Sequence, residues 1–211
     1  MKVSILIGLI LDISIKTDTR EARRYLKRVG ERNIPLAVAQ SMTATAKHLA
    51  KVQKRSLTRY IDRPTKFTER AFAVQMAKAR DFKTGKMNAA VFAKDIQQGY
   101  LQYAVYGGTR TPKGRAIIVP GAKTRLNRYG NLTRNYMQRM VSRDDTFSGS
   151  INGVEGLWQR TTRGNKLLVL YSRTAEYEKR YPFHEISARI VPREITKQLH
   201  RAIIRAAKAR R

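Results

Sequence analysis

The 211-residue sequence predicts an α+β fold: a small antiparallel sheet packed by a long alanine-rich helix and a C-terminal helix, with extended loops. Three observations predict it. Apolar residues recur at helical spacing from Ile34 to Val52, they do so again from Ile186 to Ala206, and short strand-like runs bounded by Gly and Pro lie between. No internal repeat and no interdomain linker interrupts the chain. The expectation is therefore a single structural domain over 1-211, with an N-terminal strand or arm at 1-17 and long loops at about 107-130 and 145-165.

The opening run from Val3 to Leu11 has some features of a secretory signal, but it is too short to span a bilayer, Asp12 interrupts it and no small-residue cleavage site follows. Leu11, Ile13 and Ile15 alternate with Asp12, Ser14 and Lys16, which is the period of a strand. Asp18 or Thr19 is placed to cap a helix through Ala22, Tyr25, Leu26 and Val29, with Gly30 as its stop. A longer helix starts at Pro35, a residue suited to a first turn, and buries Ile34, Val38, Met42, Leu49 and Val52. The alanines between them let another backbone come close.

Asp62-Arg63-Pro64-Thr65 is a turn. Strands are expected at Ala71 to Ala77 and Met87 to Ala93, joined by a hairpin connection in which Gly85 supplies a positive φ. Tyr100, Tyr103 and Tyr106 are spaced for packing on a helix face rather than for a stacking platform on a strand. From Gly107 to Tyr129 the chain reads as a loop, and long loops are usually functional or ordered by a partner. Asn131 to Val141 reads as a helix, Phe147 to Trp158 as Gly- and Ser-rich, and Lys166 to Tyr171 as a strand. Past Pro182, Ile186, Ile190, Ile195, Leu199, Ala202, Ile203 and Ala206 share an apolar helical face, which Pro192 must kink or divide.

Charge is the most specific functional signal. Lys and Arg number 44 against 15 Asp and Glu, a formal net charge of +29. The bases are not confined to a tail: they run through Arg20 to Lys86 and return at the C terminus, while the acids gather mainly at Asp144, Asp145 and Glu155 and at Glu176, Glu178 and Glu185. A chain this cationic repels itself unless a polyanion or an acidic neighbour neutralises it. Phosphate backbone meets that need without reading sequence.

No catalytic constellation accompanies the charge. There is no P-loop, no dinucleotide fingerprint and no paired metalloprotease histidine, since His184-Glu185 lacks its second histidine. With no cysteine and three scattered histidines, His48, His184 and His200, neither a disulfide framework nor a metal centre is expected, and no cofactor is implied. Gly149, Gly153 and Gly156 are spaced for a hairpin or flexible loop, not a phosphate cradle. Asp144-Asp145 with Asp95 or Glu155 is the one set that would serve a magnesium-dependent nuclease. Local charge compensation is the simpler reading of two adjacent acids in so basic a chain. Asn131-Leu132-Thr133 matches a glycosylation acceptor that has meaning only on a secretory route.

Taken in order, Ile34-Pro35-Leu36-Ala37 through Thr43-Ala44-Thr45-Ala46, Arg63-Pro64-Thr65-Lys66-Phe67-Thr68, Tyr106-Gly107-Gly108-Thr109, Arg125-Leu126-Asn127-Arg128-Tyr129-Gly130-Asn131-Leu132, Phe147-Ser148-Gly149 and Gly156-Leu157-Trp158-Gln159-Arg160 form a succession. It resembles the minor tail or tail-completion proteins of tailed bacteriophages, over nearly the whole chain from Leu11. Met1 to Ile10 departs from the resemblance as an added strand or arm. The resemblance implies a non-enzymatic virion structural protein of the tail or neck, assembled in host cytoplasm, forming a homo-oligomeric ring that joins the portal and connector to the tail proteins. It implies no membrane. Packaged double-stranded DNA would be contacted without sequence preference. The candidates to face DNA or an acidic partner are Arg110, Lys113, Arg115, Lys123, Arg125 and Arg128, followed by Arg205, Lys208, Arg210 and Arg211. A free nucleic-acid-binding protein of ribosomal or chromatin type is the alternative.

Overall fold

The computed structural model describes residues 3–7, 12–17 and 34–208, with side-chain detail over 34–205. The fold is α+β, as the sequence predicts. The chain forms two compact units: Met1–Val105 with Arg180–Arg211, here the helical unit, and Tyr106–Lys179, the inserted unit.

In the helical unit, β1 (Val3–Ile7) and β2 (Asp12–Thr17) form an antiparallel hairpin. The helix expected between Asp18 and Gly30 lies outside the described residues. Helix α1 runs from Ile34 to Tyr60 and buries Val38, Met42, Ala46, Leu49, Gln53 and Leu57, three or four residues apart. It stops where Pro64 disfavours helical backbone in the preceding residue, and Arg63 takes a positive φ of 42°. Thr65 then caps the short helix α2 (Lys66–Glu69): its hydroxyl oxygen accepts from the Thr68 amide at 3.2 Å.

Strands β3 (Phe72–Gln75) and β4 (Asn88–Ala93) pair antiparallel through the expected connection, which holds a 3₁₀ turn at Ala79–Phe82 and a positive φ at Gly85. Strand β2 pairs with β4 along its other edge, giving the order β1-β2-β4-β3. Helix α3 (Asp95–Tyr106) follows, burying Leu101 and Val105; Tyr100 lies half-buried on it with its hydroxyl 2.9 Å from that of Thr68, a packing role. Helix α5 (Phe183–Lys208) is a single helix straight through Pro192. Both Pro192 and Ala188, whose carbonyl loses its helical partner to the proline, are exposed, so water can meet the vacant acceptor.

Helix α5 packs antiparallel on α1, since Ser41 bonds to the Gln198 carbonyl while Gln53, twelve residues later, reaches Phe183 and Ser187. Gln53 is fully buried and fully used. Its amide nitrogen donates to the Phe183 carbonyl at 2.8 Å and to Ser187 Oγ at 2.7 Å, and its Oε1 accepts from the Tyr181 hydroxyl at 2.6 Å. Burial pushes the Tyr181 phenol well above its ordinary range, so this network keeps its proton count at any ordinary pH. Around it lie Met42, Leu49, Val91, Leu101, Phe183 and Ile195 as one core. Ile203 is not part of that face: it is 47% exposed, while Ala202 beside it is buried.

In the inserted unit, strands take up most of the expected loop at 145-165, and the short strands Gly108–Arg110 and Ile117–Pro120 lie within that at 107-130. Strands β5 (Gly108–Arg110) and β10 (Ala175–Tyr177) pair across the unit's two ends. Strands β6 (Ile117–Pro120), β7 (Thr146–Ile151), β8 (Val154–Thr161) and β9 (Gly164–Ser172) form a sheet in the order β6-β9-β8-β7. Pro120 sits on the edge strand β6, where a missing amide does least harm. Asn152 and Gly153, both with positive φ (49° and 79°), make the tight turn of the β7–β8 hairpin. The helix expected from Asn131 is shorter, α4 (Tyr136–Val141), because Asn135 takes a left-handed conformation at its start. The unit's core is small: Leu157, Leu168 and Val169, flanked by Leu132, Tyr136, Met137, Met140 and Tyr171.

Candidate cationic surfaces

Bases dominate the surface of both units, but in different ways. In the inserted unit, Arg110 is half-buried in β5, Lys113 and Arg115 are exposed in the turn before β6, and Lys123, Arg125 and Arg128 are exposed in the segment between β6 and α4. That segment is held by its own hydrogen bonds. Asn127 Oδ1 accepts from the amides of Tyr129 (2.9 Å) and Asn131 (3.1 Å), and Thr124 Oγ1 donates to the Leu168 carbonyl at 2.6 Å. The Arg128 guanidinium lies 4.7 Å from the centre of the Tyr129 ring, a cation–π contact that fixes its plane. All six leading candidates thus belong to one unit. Arg205 and Lys208 belong to the other, on α5, and Arg210 and Arg211 lie outside the described residues.

From Ile96 to Arg143 the sequence holds nine Lys and Arg and no acid, an asymmetry that residue-by-residue reading passes over. The first acids after it, Asp144 and Asp145, do not gather into a metal site. Asp145 accepts two hydrogen bonds from Arg143, both 2.7 Å, and one from Gln159 at 2.8 Å; the guanidinium and amide hold its carboxyl well below the usual carboxylate range. Glu155 lies 3.7 Å from Arg173, and Asp95 belongs to the helical unit. Among the described residues no group of three or more His, Asp or Glu side chains could hold a metal ion. Asp145 is thus engaged locally, by Arg143 and Gln159.

In the helical unit the exposed bases lie in rows. Lys47, Lys51, Lys54, Arg55 and Arg59 are all exposed on α1, a helix without a single acid. Arg189, Arg193, Lys197, Arg201 and Arg205 are all exposed on α5, four residues apart at every step. None of them is ion-paired among the described residues. The α5 row was visible in the sequence as a base at every fourth position. It escapes notice in a chain where one residue in five is basic.

A groove of about 660 Å³ between the first half of α1 and Gln75–Ala79 is lined mostly by apolar side chains, including Leu36, Ala39, Met76 and Ala79. No helix among the described residues is long and apolar enough to cross a membrane. Comparison with protein-family models, with curated proteins and with solved structures finds no match.

Proposed function

We propose that the chain is a non-enzymatic structural protein of a tailed-phage virion, placed at the head-proximal end of the tail, where a ring of copies completes the tail and joins it to the connector. The observation that carries this reading is a positive surface built on stable elements in both units and left without acids to balance it. Such a surface needs a polyanion or acidic neighbours, and a ring beside packaged DNA offers both. Repetition around a ring multiplies weak contacts through effective concentration. The ordered succession of motifs from Leu11 to the basic C-terminal helix supports the same placement. The protein would be made in host cytoplasm and end in the virion.

Locating the chain in particles tests this. With a small rigid label fused to the chain, low-resolution images of purified particles should show added density at the junction of head and tail, and particles made without the chain should carry unjoined or unfinished tails. Absence from purified particles, with the chain instead co-purifying with cellular RNA, would overturn the reading in favour of a free nucleic-acid-binding protein.

A further inference from the structure

We infer that the outer face of the α1–α5 helix pair is a binding surface for the phosphate backbone of duplex DNA, and that it, rather than the basic loops of the inserted unit, is the principal DNA contact of the chain. The inference rests on the virion reading only for the duplex being DNA; that the ligand is a duplex follows from the surface itself.

Helix geometry comes first. The buried positions of α1, from Ala37 to Leu57, fall on one side of the helix, and Lys47, Lys51, Lys54, Arg55 and Arg59 fall on the other. On α5, Arg189, Arg193, Lys197 and Arg201 are all exposed, in a row that turns about 40° around the helix axis at each four-residue step. The two helices are packed side by side, α1 on β3 and β4 and α5 against β1 and β2, and both rows occupy exposed positions of that pair. At a rise of about 1.5 Å per residue, the α5 row is about 24 Å long and the α1 row about 18 Å. Packed helices sit roughly 8–10 Å apart, which with long side chains is enough to reach phosphates on both banks of a major groove about 12 Å wide.

Charge comes second. The acids of α5 do not interrupt its row: Glu194 is buried, where it accepts from Gln198 at 2.6 Å, and Glu185 precedes the first base. Four of the five bases in the α5 row are arginine, whose fork matches phosphate oxygens.

What the rows lack identifies the ligand. Between Lys47 and Arg59, and between Arg189 and Arg201, none of the exposed positions is aromatic or large and aliphatic, and His48, Thr58, Pro192, Thr196 and His200 fill the gaps; Ile203 and Ile204 are exposed beyond Arg201, at the Arg205 end of the row. A protein partner needs an apolar centre with aromatic anchors, and lysine is depleted in such centres. Single strands need rings on which bases stack. A duplex backbone needs neither. No exposed Asn or Gln lies within the two rows to read base edges, so binding is indifferent to sequence. The apolar groove begins beside Lys47, at one end of the α1 row, and leaves the rest of the face polar.

A chain of this net charge will cling to DNA to some extent through any surface, so the test compares faces at equal charge. Full-length protein is titrated into a fluorescent 20-base-pair duplex of arbitrary sequence, by anisotropy, between 50 and 300 mM NaCl. The helix variant is Arg189→Gln, Arg193→Gln, Lys197→Gln and Arg201→Gln together; the control removes the same charge by Lys113→Gln, Arg115→Gln, Lys123→Gln and Arg125→Gln. Helical circular dichroism checks that both stay folded, as substitutions at exposed positions should. The helix variant is expected to lose at least about 30-fold in affinity at 0.1 M salt, and to lower the slope of log K against log salt by about 0.9 for each phosphate contact removed. The control should lose under about 5-fold. Equal losses in the two variants, a larger loss in the control, or tighter binding of single-stranded DNA or poly-glutamate than of duplex would each overturn the inference. None of these outcomes bears on where the chain sits in the particle, so the virion reading stands or falls separately on the imaging.

Discussion

The two units solve the same problem with different means. The helical unit has a large core, two long helices and a buried polar network in which Gln53, Tyr181 and Ser187 satisfy one another. The inserted unit has only Leu157, Leu168 and Val169 as its buried cluster, and depends on strand pairing, tight turns and side chains such as Thr124 and Thr146 that tie loops to the backbone. Small cores leave little surplus over conformational entropy. The helical unit is therefore the rigid platform, and the inserted unit is the part whose stability responds most to a change in one residue or to a partner.

The chain's only tryptophan, Trp158, lies in the inserted unit, 9% exposed and donating from Nε1 to the Gly149 carbonyl, while both long helices lie in the other. Tryptophan fluorescence and helical circular dichroism thus report on different units. The largest expected effect is that of Leu49→Ala, which opens a cavity at a fully buried position of α1 and should cost about 2–5 kcal/mol. The helical signal should melt earlier while the Trp158 transition keeps its midpoint; a matching shift in both would mean that the units unfold together.

Gly156→Ala should cost less, about 1–3 kcal/mol. An added Cβ on β8 would run into the Val169 carbonyl of β9, in the middle of the sheet, so the strands must part locally. The loss should be read at Trp158 and be missing from the helical signal. The smallest effect is that of pH on Asp145. Its folded pKa is lowered by Arg143 and Gln159, so its contribution is complete above the ordinary aspartate pKa of about 4 and declines as pH falls below that. Urea midpoints followed at Trp158 should drop between pH 6 and pH 3 in the wild type, and Asp145→Asn should flatten that dependence.

Local pattern made the helical unit readable. Val38, Met42 and Leu49 at helical spacing located α1, Ile186 and Ile195 located α5, and Gly85 marked the β3–β4 hairpin. The inserted unit was harder because its order comes from pairing between distant segments. Gly108 to Arg110 reads as loop until Ala175 to Tyr177 lies beside it, and the exposed face of β7 carries Ser148, Gly149 and Ser150, which look like loop composition. The Asn152-Gly153 pair was a legible hairpin signal within that stretch. The division into two units leaves no linker to see, because the chain enters the inserted unit through Gly107, where a Cβ would sit 3.0 Å from the Tyr177 carbonyl. The loop arginines stood out as candidates by composition. The helix rows did not, since only the burial of the opposite face turns a periodic base into a surface.

The hydrogen bond from Gln53 to the Phe183 carbonyl spans 130 residues of sequence. On a ribosome adding roughly 5–20 residues per second, α1 would wait on the order of 7–26 s for the helix that covers it. Through that interval the whole inserted unit is made, and the apolar side of α1 is open to any chaperone or sister chain nearby. Covering α1 thus waits on α5, so a chain terminated before that helix would be a sticky intermediate rather than a shortened working protein.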